Sequence, residues 1–316
     1  MAKYFVTGAS GFLGRELVRQ LRERGDVVHA LVRNPARAGN LAGARLFVGD
    51  ITKIESMRPA MLGTDGVFHV AGWYKVGSRD KREAASVNIE GTRNVLSLMR
   101  ELQIPKGVYT STLAVHSDTH GHIVDETFRF TGKHLSEYDR TKAVAHEIAL
   151  SMIAGGLPLV ITMPGVIYGP GDPSSIGRMF DLYSKRRLPV IPRRAGVCWS
   201  YIEDAGHGHL LAMQQGRIGE SYHLSGEPVT YEAALALAEE LTGIPAPPCV
   251  PPWMLALAAS VVSPIEKVIP VPEDFSAETL RISAGVTYWG DNSKARRELG
   301  FEPRPLREGL RLTIHS

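Results

Sequence analysis

The chain has 316 residues, of which 44% are hydrophobic, and a formal net charge of +3 at neutral pH. A chain of this length and composition can bury a large core, which predicts one large globular domain or two unequal ones. The charges are spread along the chain, so we expect neither a nucleic-acid surface nor a membrane as a partner. Because the first residues run into a strand pattern without an export signal and the two cysteines have no metal-ligand spacing, we expect a cytoplasmic location.

The N-terminal half alternates short apolar runs with amphipathic ones, which is the pattern of a parallel sheet covered by helices on both faces. Strands are predicted over residues 3–8, 27–33, 44–50, 66–72, 107–112 and 157–165, and helices over 12–25, 54–62, 82–103 and 138–156. The predicted fold class is therefore α/β, with a doubly wound parallel (Rossmann) sheet.

After about Pro164 the pattern loosens into Gly- and Pro-rich segments, which indicates a smaller and more irregular substrate-binding part. A helix is predicted over 200–215, a strand that returns to the main sheet over 220–226, and further helices over 230–243 and 291–300. These patterns assign residues 1–165 and about 198–226 to the dinucleotide-binding domain, and residues 166–197 and 227–316 to the substrate-binding part.

Two segments of the second part have an unusual composition. The basic run at residues 185–194 is either a solvated face or a site for an anionic substrate. The apolar stretch from Trp253 to Val262 is too short to cross a bilayer, which takes about 20 residues. We expect it to form a buried helix or a lid over the substrate.

A glycine-rich turn follows the first strand and opens the first helix. In "VTGASGFLGRELV", Gly8, Gly11 and Gly14 are spaced three residues apart. Glycine allows a tight turn and a close approach of a pyrophosphate, and the helix N-terminus offers N–H donors to the phosphates. At the start of a β-α series this pattern predicts a dinucleotide site.

The end of the second strand bears on the choice of cofactor. NAD-binding folds usually place an Asp or Glu there to hold the ribose 2′-hydroxyl, but this chain has Arg33, with Arg37 one turn later. An arginine can pair with a 2′-phosphate, so NADP(H) is preferred and NAD stays possible. Asp50, at the end of the third strand, either accepts from the adenine amino group or caps the following helix.

Tyr138 and Lys142 lie four residues apart in a predicted helix and therefore on the same face. A lysine ammonium beside a phenol would stabilise the phenolate and lower the tyrosine pKa. The same spacing occurs by chance in many helices. The preceding strand, however, ends in Thr110, Ser111 and Thr112, at the edge where open α/β sheets bind ligands.

Together these motifs resemble the extended branch of the short-chain dehydrogenase/reductase superfamily, over nearly the whole chain. "TGASGFLG" is similar to its cofactor loop, "NIEGTRNV" to its central helix, and "TST" with "YDRTK" to its active site. Within the branch, the chain resembles dihydroflavonol-reductase-like enzymes and the hopanoid-associated sugar-epimerase group. A glycine at position 72 departs from the alanine that is commoner in the family.

The resemblance implies roles for individual residues. Tyr138 is expected to be the general acid/base, Lys142 its pKa modulator and the ribose clamp, and Thr112, with Ser111 beside it, the partner of the substrate carbonyl or hydroxyl. Asn88 either binds a water relay or braces the central helix. The expected cofactor-binding residues are Gly8, Ser10, Gly11, Phe12, Leu13, Gly14, Arg33, Arg37, Asp50, Ile51, Val70, Ala71, Gly72, Tyr138, Lys142, Pro164 and Val166.

Three functions are compatible with this pattern. The favoured one is an NADP(H)-dependent oxidoreductase that reduces an aldehyde or ketone; the alternative is a nucleotide-sugar epimerase or dehydratase without net redox change. A dinucleotide-sensing protein without turnover is the third, but such relatives usually lack the Tyr-Lys pair. The expected partner is a small carbonyl or sugar substrate, a homodimer is possible, and His116, His120 and His122 lack the ligands for a metal site.

Overall fold

The computed structural model describes residues 1–39, 41, 43–77 and 80–314, and for Arg37 the backbone only. Within these ranges the strands are β1 (Lys3–Thr7), β2 (Val27–Val32), β3 (Arg45–Val48), β4 (Gly66–His69), β5 (Gly107–Thr110), β6 (Leu159–Pro164), β7 (Val166–Tyr168), β8 (Ile191–Pro192), β9 (Gly196–Tyr201), β10 (Ser221–Leu224), β11 (Pro228–Thr230), β12 (Cys249–Val250) and β13 (Thr287–Tyr288).

The helices of the same ranges alternate with the strands in the first half of the chain and dominate the second half. They are α1 (Phe12–Glu23), α2 (Ile54–Met61), α3 (Lys81–Ala85), α4 (Thr92–Glu101), α5 (Glu137–Ala154), α6 (Ser175–Ser184), α7 (Ile202–Gln214), α8 (Tyr231–Thr242), α9 (Pro252–Ile265), α10 (Ala277–Ile282), α11 (Ser293–Leu299) and α12 (Leu306–Ile314). A π-helical segment, Ser86–Gly91, joins α3 to α4.

Seven of these strands form one parallel sheet in the order β10-β6-β5-β4-β1-β2-β3. The register pairs Val6 of β1 with Ala30 of β2 on one side and with Phe68 of β4 on the other. Because β4 lies on the other side of β1 from β2, the chain reverses direction across the sheet at β1, and the carboxyl ends of β1 and β4 border a crevice where such folds bind ligands. The predicted fold class is confirmed.

Helices cover both faces of the sheet and bury separate apolar layers. On one face α1 contributes Leu17 and Leu21, whose four-residue spacing turns both side chains to the sheet, where they join Val6 and Phe68. On the other face Val95 of α4 and residues of α5 complete the layer. This packing fixes α5, which contains Tyr138 and Lys142, against the sheet beside β5 and β6.

The C-terminal part has its own core and a small second sheet in the order β11-β9-β13, with β7 also paired to β9. Its aromatic centre contains Tyr168, Trp199 and Tyr201, which are packed edge to face. Sequence periodicity did not predict α6, α10, α12 or these short strands. The proposed division of the chain into two domains stays a prediction.

The expectation of a buried helix at residues 253–262 is wrong. These residues form most of α9, of which only Ala259 is fully buried, while Trp253 is 66% exposed and Leu257 59% exposed. Hydrophobic composition alone does not distinguish a helix inside a core from an apolar helix on the surface.

Candidate active site

The glycine-rich turn forms a cradle between β1 and α1. Gly8 has φ +66°, and a Cβ atom there would lie 2.7 Å from the backbone nitrogen of Ala71. A Cβ atom on Gly14 would lie 2.0 Å from the carbonyl oxygen of Gly8. Both positions therefore require glycine, one for its backbone conformation and one for the close approach of α1 to the turn. The cradle fits the pyrophosphate of a dinucleotide.

A buried hydroxyl ties the ends of β1 and β4 together beneath this cradle. The Thr7 hydroxyl accepts hydrogen bonds from the backbone N–H groups of Val70 and Ala71, both at 3.1 Å. It also lies 2.8 Å from Nδ1 of His69. The predicted cofactor-binding residues Val70 and Ala71 are thus held beside Gly8, and Gly72 follows them in exposed backbone.

The end of β2 presents Arg33 to solvent, and no side-chain hydrogen bond or ion pair holds it among the described residues. Arg15 of α1 was not predicted; its Nε donates to the Ser10 carbonyl at 2.8 Å, and its guanidinium lies beside Gly39 in the loop after β2. Arg15 and Arg33 therefore both lie at the loop after β2. The side chain of Arg37 lies outside the described residues.

Asp50 does not cap α2, whose N-cap residue is Lys53. Its Oδ1 accepts from both the backbone N–H and the hydroxyl of Thr52, which closes a local turn. The helix starts too far along the chain for an Asp50 cap. Ile51 is buried next to Gly91, and Phe12 and Leu13 form the first turn of α1.

The three hydroxyls after β5 have different partners. Thr110 lies 2.9 Å from Nε2 of His209, and Ser111 lies 2.8 Å from Nδ1 of His146. Of the three, only Thr112 acts on the Tyr138 phenol, whose pKa it lowers, and its hydroxyl accepts from the backbone N–H of Ala114 at 3.2 Å. Of the three, Thr112 is the one available to act together with Tyr138.

The Lys142 side chain is hydrogen-bonded to residues of β5. Its Nζ donates to the Thr110 carbonyl at 2.8 Å and to the Tyr109 hydroxyl at 3.3 Å, and it lies 4.9 Å from the centre of the Tyr109 ring. Tyr109 is not among the residues predicted from the sequence, although its place two residues before Ser111 turns it to the α5 side of the sheet. The Tyr109 hydroxyl in turn meets Thr92.

Burial shifts the pKa values of Tyr138 and Lys142 in the directions that favour the neutral form of each side chain. It raises the pKa of Tyr138 to about 12, with Asp139 adding to the rise and Thr112 opposing it. It lowers the pKa of Lys142 to about 7. Desolvation dominates both shifts, and in this structure the Lys142 Nζ is hydrogen-bonded to Tyr109 and Thr110. The role of Lys142 as pKa modulator of Tyr138 stays a prediction. At neutral pH Tyr138 therefore holds a proton.

Asn88 lies in the π-helical segment and braces the site. Its side chain accepts from the Trp73 backbone N–H at 2.7 Å and donates to the Trp73 carbonyl and the Thr141 hydroxyl, both at 3.0 Å. It thus joins the loop after β4 to α5, which supports the bracing role. The indole N–H of Trp73, a side chain that is only 5% exposed, has no partner among the described residues.

A chain of buried hydrogen bonds runs under these residues. His69 links Thr7, at 2.8 Å from Nδ1, to Thr92, at 3.1 Å from Nε2, and Thr92 meets Tyr109, which contacts Lys142. The glycine cradle and Lys142 are therefore connected through polar side chains. Of the other predicted residues, Pro164 ends β6 and Val166 begins β7.

A cleft of about 630 Å³ lies on the outer side of α5. It is lined by Phe128, Phe130 and Val144 among others, but not by Thr112, Tyr138 or Lys142. We assign the reactive site to the strand ends because the polar groups converge there. No group of three or more His, Cys, Asp or Glu side chains in the described ranges could hold a metal ion.

Comparisons with known proteins point to one family. A model of the NAD dependent epimerase/dehydratase family matches residues 4–225. The chain is 33% identical to a protein of Synechocystis sp. named as a dihydroflavonol 4-reductase, over 99% of this chain and 93% of that protein. It is 32% identical to the 4-hydroxy-2-methyl-3-oxo-4-farnesyl-3,4-dihydroquinoline-1-oxide ketoreductase of Stigmatella aurantiaca, over 95% of this chain and 92% of that protein.

Solved structures agree on the fold. The crystal structure of gox2253 superposes with a TM-score of 0.85 at 28% identity and covers all of this chain, with 97% of its own chain matched. The structure of MoeE5 with UDP-glucuronic acid and NAD has a TM-score of 0.80 at 23% identity over 99% of this chain and 98% of that one, a likeness of fold alone. The chain therefore belongs to the NAD dependent epimerase/dehydratase family and is an NAD(P)-dependent enzyme of the extended short-chain dehydrogenase/reductase type.

Proposed function

We propose that the protein is an NADP(H)-dependent reductase that converts an aldehyde or ketone on a mainly apolar molecule into the alcohol. The observation that supports this most directly is the interaction of the Thr112 hydroxyl with the Tyr138 phenol at the carboxyl end of β5. A protonated phenol beside a second hydroxyl can hold a carbonyl oxygen and give it a proton.

In this mechanism Thr112 and Tyr138 both hydrogen-bond the carbonyl oxygen of the substrate. The nicotinamide, when bound, supplies the hydride to the carbonyl carbon. Tyr138 gives its proton to the oxygen as negative charge develops there, and its raised pKa keeps the phenol protonated before the step. Lys142, once protonated, would stabilise the resulting phenolate, and a proton from solvent restores Tyr138.

Preference for the phosphorylated cofactor rests on Arg33 and Arg15. Both guanidinium groups border the loop after β2, where no carboxylate is available to hold a ribose 2′-hydroxyl at the end of that strand. A 2′-phosphate there would gain charge-assisted hydrogen bonds. Gly8 and Gly14 would hold the pyrophosphate, and Arg37 is a further candidate.

An apolar substrate is supported by the relatives, since the two named above are a reductase of a flavonoid and a ketoreductase of a farnesylated quinoline oxide by name. The unpartnered indole N–H of Trp73 would supply a hydrogen-bond donor to a polar group of such a molecule. We also propose that the protein is cytoplasmic, that it forms a homodimer, and that the chain divides into the two domains predicted from the sequence.

The alternative is epimerisation or dehydration of a nucleotide sugar. The exposed arginines of residues 185–194 favour it, because a diphosphate needs cationic partners. Arg33 opposes it, since enzymes that keep their cofactor through a cycle without net redox commonly hold NAD.

The test is to add aldehydes, ketones and flavanonols in turn to the enzyme with NADPH deuterated at the transferable position. We expect the cofactor to be consumed and one deuterium to appear in the alcohol product. If bound NADPH is not consumed with any carbonyl, and a UDP-sugar is instead isomerised or dehydrated, the reductase proposal is wrong.

A further inference from the structure

Helix α9 has an apolar face that the described residues leave open to solvent. From Pro252 to Ile265 the helix contains no charged residue. Its exposed side chains are large and apolar: Trp253 66%, Leu257 59%, Val261 54%, Met254 46% and Ile265 43%. Exposed apolar patches that are contiguous usually mark an interaction surface.

The exposed side chains form a continuous stripe. Trp253, Leu257, Val261 and Ile265 are spaced four residues apart and so lie above one another on one side of the helix. The helix is about 21 Å long, at about 1.5 Å per residue. No helix in the described part of the chain is long and apolar enough to cross a membrane. Contact of α9 with a bilayer would therefore be along its side.

A basic cluster lies at the N-terminal end of this stripe. We call Arg193 and Arg194 the arginine cluster; both are exposed, and neither has a side-chain ion pair within the described ranges. The backbone N–H of Arg193 donates to the carbonyl of Val250 at 2.9 Å, three residues before Trp253. The cluster is thus next to the exposed tryptophan.

The stripe is also connected to the active site. Helix α9 packs against α10, whose Glu278 accepts from the backbone N–H of Gly77 at 3.2 Å and pairs with Lys81 at 3.3 Å. Gly77 is in the loop after β4, which continues from Trp73. Glu278 also acts on the carboxyl of Asp139, the neighbour of Tyr138. The segment that contains α9 and α10 therefore borders the catalytic helix.

We propose that the α9 stripe and the arginine cluster dock the protein on the surface of a bilayer that contains anionic lipids. Tryptophan and aliphatic side chains enter the boundary between headgroups and acyl chains, and the arginines bind the phosphates. A second copy of this chain is the weaker occupant, because α9 offers no acidic residue to the arginines. This proposal departs from the prediction that no membrane is a partner. Docking does not depend on the proposed reductase activity.

The experiment is flotation of the full chain with phosphatidylcholine vesicles, with and without about 30% phosphatidylglycerol. We expect binding to the anionic vesicles that weakens at least about tenfold when salt rises from about 0.1 M to about 0.5 M. Tryptophan emission should shift to the blue on binding, because Trp253 is exposed while Trp73 and Trp199 are buried. Trp253→Phe should keep the binding and lose the shift.

Paired variants separate the two parts of the surface. Leu257→Ser with Val261→Ser should weaken vesicle binding about tenfold or more, while Leu62→Ser with Ile218→Ser, at equally exposed positions elsewhere, should not. Arg193→Glu with Arg194→Glu should have a similar effect, with Arg100→Glu on α4 as the control. These variants lie outside the hydride-transfer site, so NADPH binding should stay unchanged.

Two outcomes would overturn the proposal. One is the absence of vesicle binding by the intact protein. The other is self-association that Leu257→Ser with Val261→Ser abolishes while vesicle binding is unaffected, which would assign the stripe to a second copy. Failure to reduce any carbonyl would leave vesicle binding unchanged, so this test is independent of the proposed function.

Discussion

At the scale of single residues, the partners of the three hydroxyls after β5 lie far away in the sequence. His209, His146 and Tyr138 are each brought to one hydroxyl by a different helix or helix face. The sequence motif predicts that hydroxyls lie at this strand end, because the strand itself is recognised from its local sequence pattern. It does not predict which hydroxyl meets the phenol, because that depends on tertiary packing.

Tyr109→Phe tests the contact between Tyr109 and Lys142. The Tyr109 hydroxyl accepts from the Lys142 ammonium and so favours its charged form. Its loss should lower the pKa of Lys142 further below about 7 and shift the alkaline fall of kcat/KM to lower pH, by about one unit for one hydrogen bond to a charged group. The measurement is kcat/KM against pH.

The matched control is Tyr183→Phe, which removes another buried hydroxyl, one that donates to the Ile244 carbonyl at 2.5 Å in the C-terminal part. Its pH profile should equal that of the unmodified protein. Equal pH profiles for Tyr109→Phe, Tyr183→Phe and the unmodified protein would contradict a role of Tyr109 in the titration of Lys142.

Arg33→Asp tests the choice of cofactor. The change removes a partner of the 2′-phosphate and supplies an acceptor for a 2′-hydroxyl, so the ratio of NADPH to NADH affinity should fall by about tenfold or more. Fluorescence titration of both reduced cofactors measures it, with Arg100→Asp as the exposed control. An unchanged ratio would exclude Arg33 from cofactor recognition.

At the scale of elements, the sequence predicts the alternating β-α half of the chain well. Strands β1 to β6 lie within their predicted ranges. The ends of α1, α2 and α5 lie within two residues of the predicted helix ends. The signals are local there, because each strand is a short, mainly apolar run and each helix has one apolar face. The short strands β7, β8, β12 and β13 are two or three residues long, so their pairing is set by neighbours that are distant in sequence and leaves no periodic signal.

The turn between β1 and α1 gives an element-scale prediction. Gly14→Ala places a methyl group 2.0 Å from the Gly8 carbonyl oxygen, so α1 must move away from the turn. We expect a loss of about 1–3 kcal/mol in the free energy of unfolding and a larger loss of cofactor affinity. Gly155→Ala, where the added atom would lie 3.4 Å from the Met152 carbonyl, is the control. Thermal unfolding with and without NADPH compares them, and normal cofactor binding by Gly14→Ala would contradict the cradle.

At the scale of the whole molecule, five buried histidines make folding sensitive to acid. Burial lowers the pKa values of His69, His116 and His146 to about 3 and those of His209 and His223 to about 4. In the unfolded chain a histidine titrates near about 6.5. Between these values the unfolded chain binds more protons, so stability is present above about pH 6.5 and is lost as the pH falls toward 4.

We expect the free energy of unfolding, measured by urea titration, to fall as the pH drops from about 6.5 toward 4, by at most about 1.4 kcal/mol per pH unit for any one histidine. Asp139 partly opposes this, because burial raises its pKa to about 7 and it loses its proton on unfolding. His146→Gln should reduce the slope, whereas His207→Gln, at an exposed position of α7, should not. Constant or rising stability over this range would contradict the burial of these rings as neutral groups.

The most direct measurement is the turnover of Tyr138→Phe beside that of Tyr74→Phe, an exposed tyrosine in the loop after β4, together with NADPH affinity. The mechanism predicts that Tyr138→Phe lowers kcat by about 10²–10⁴-fold, because only the transferable proton is lost, while NADPH binding stays within about twofold. Tyr74→Phe should retain its turnover. Near-normal turnover of Tyr138→Phe would contradict the assignment of Tyr138 as the proton donor and with it the proposed mechanism.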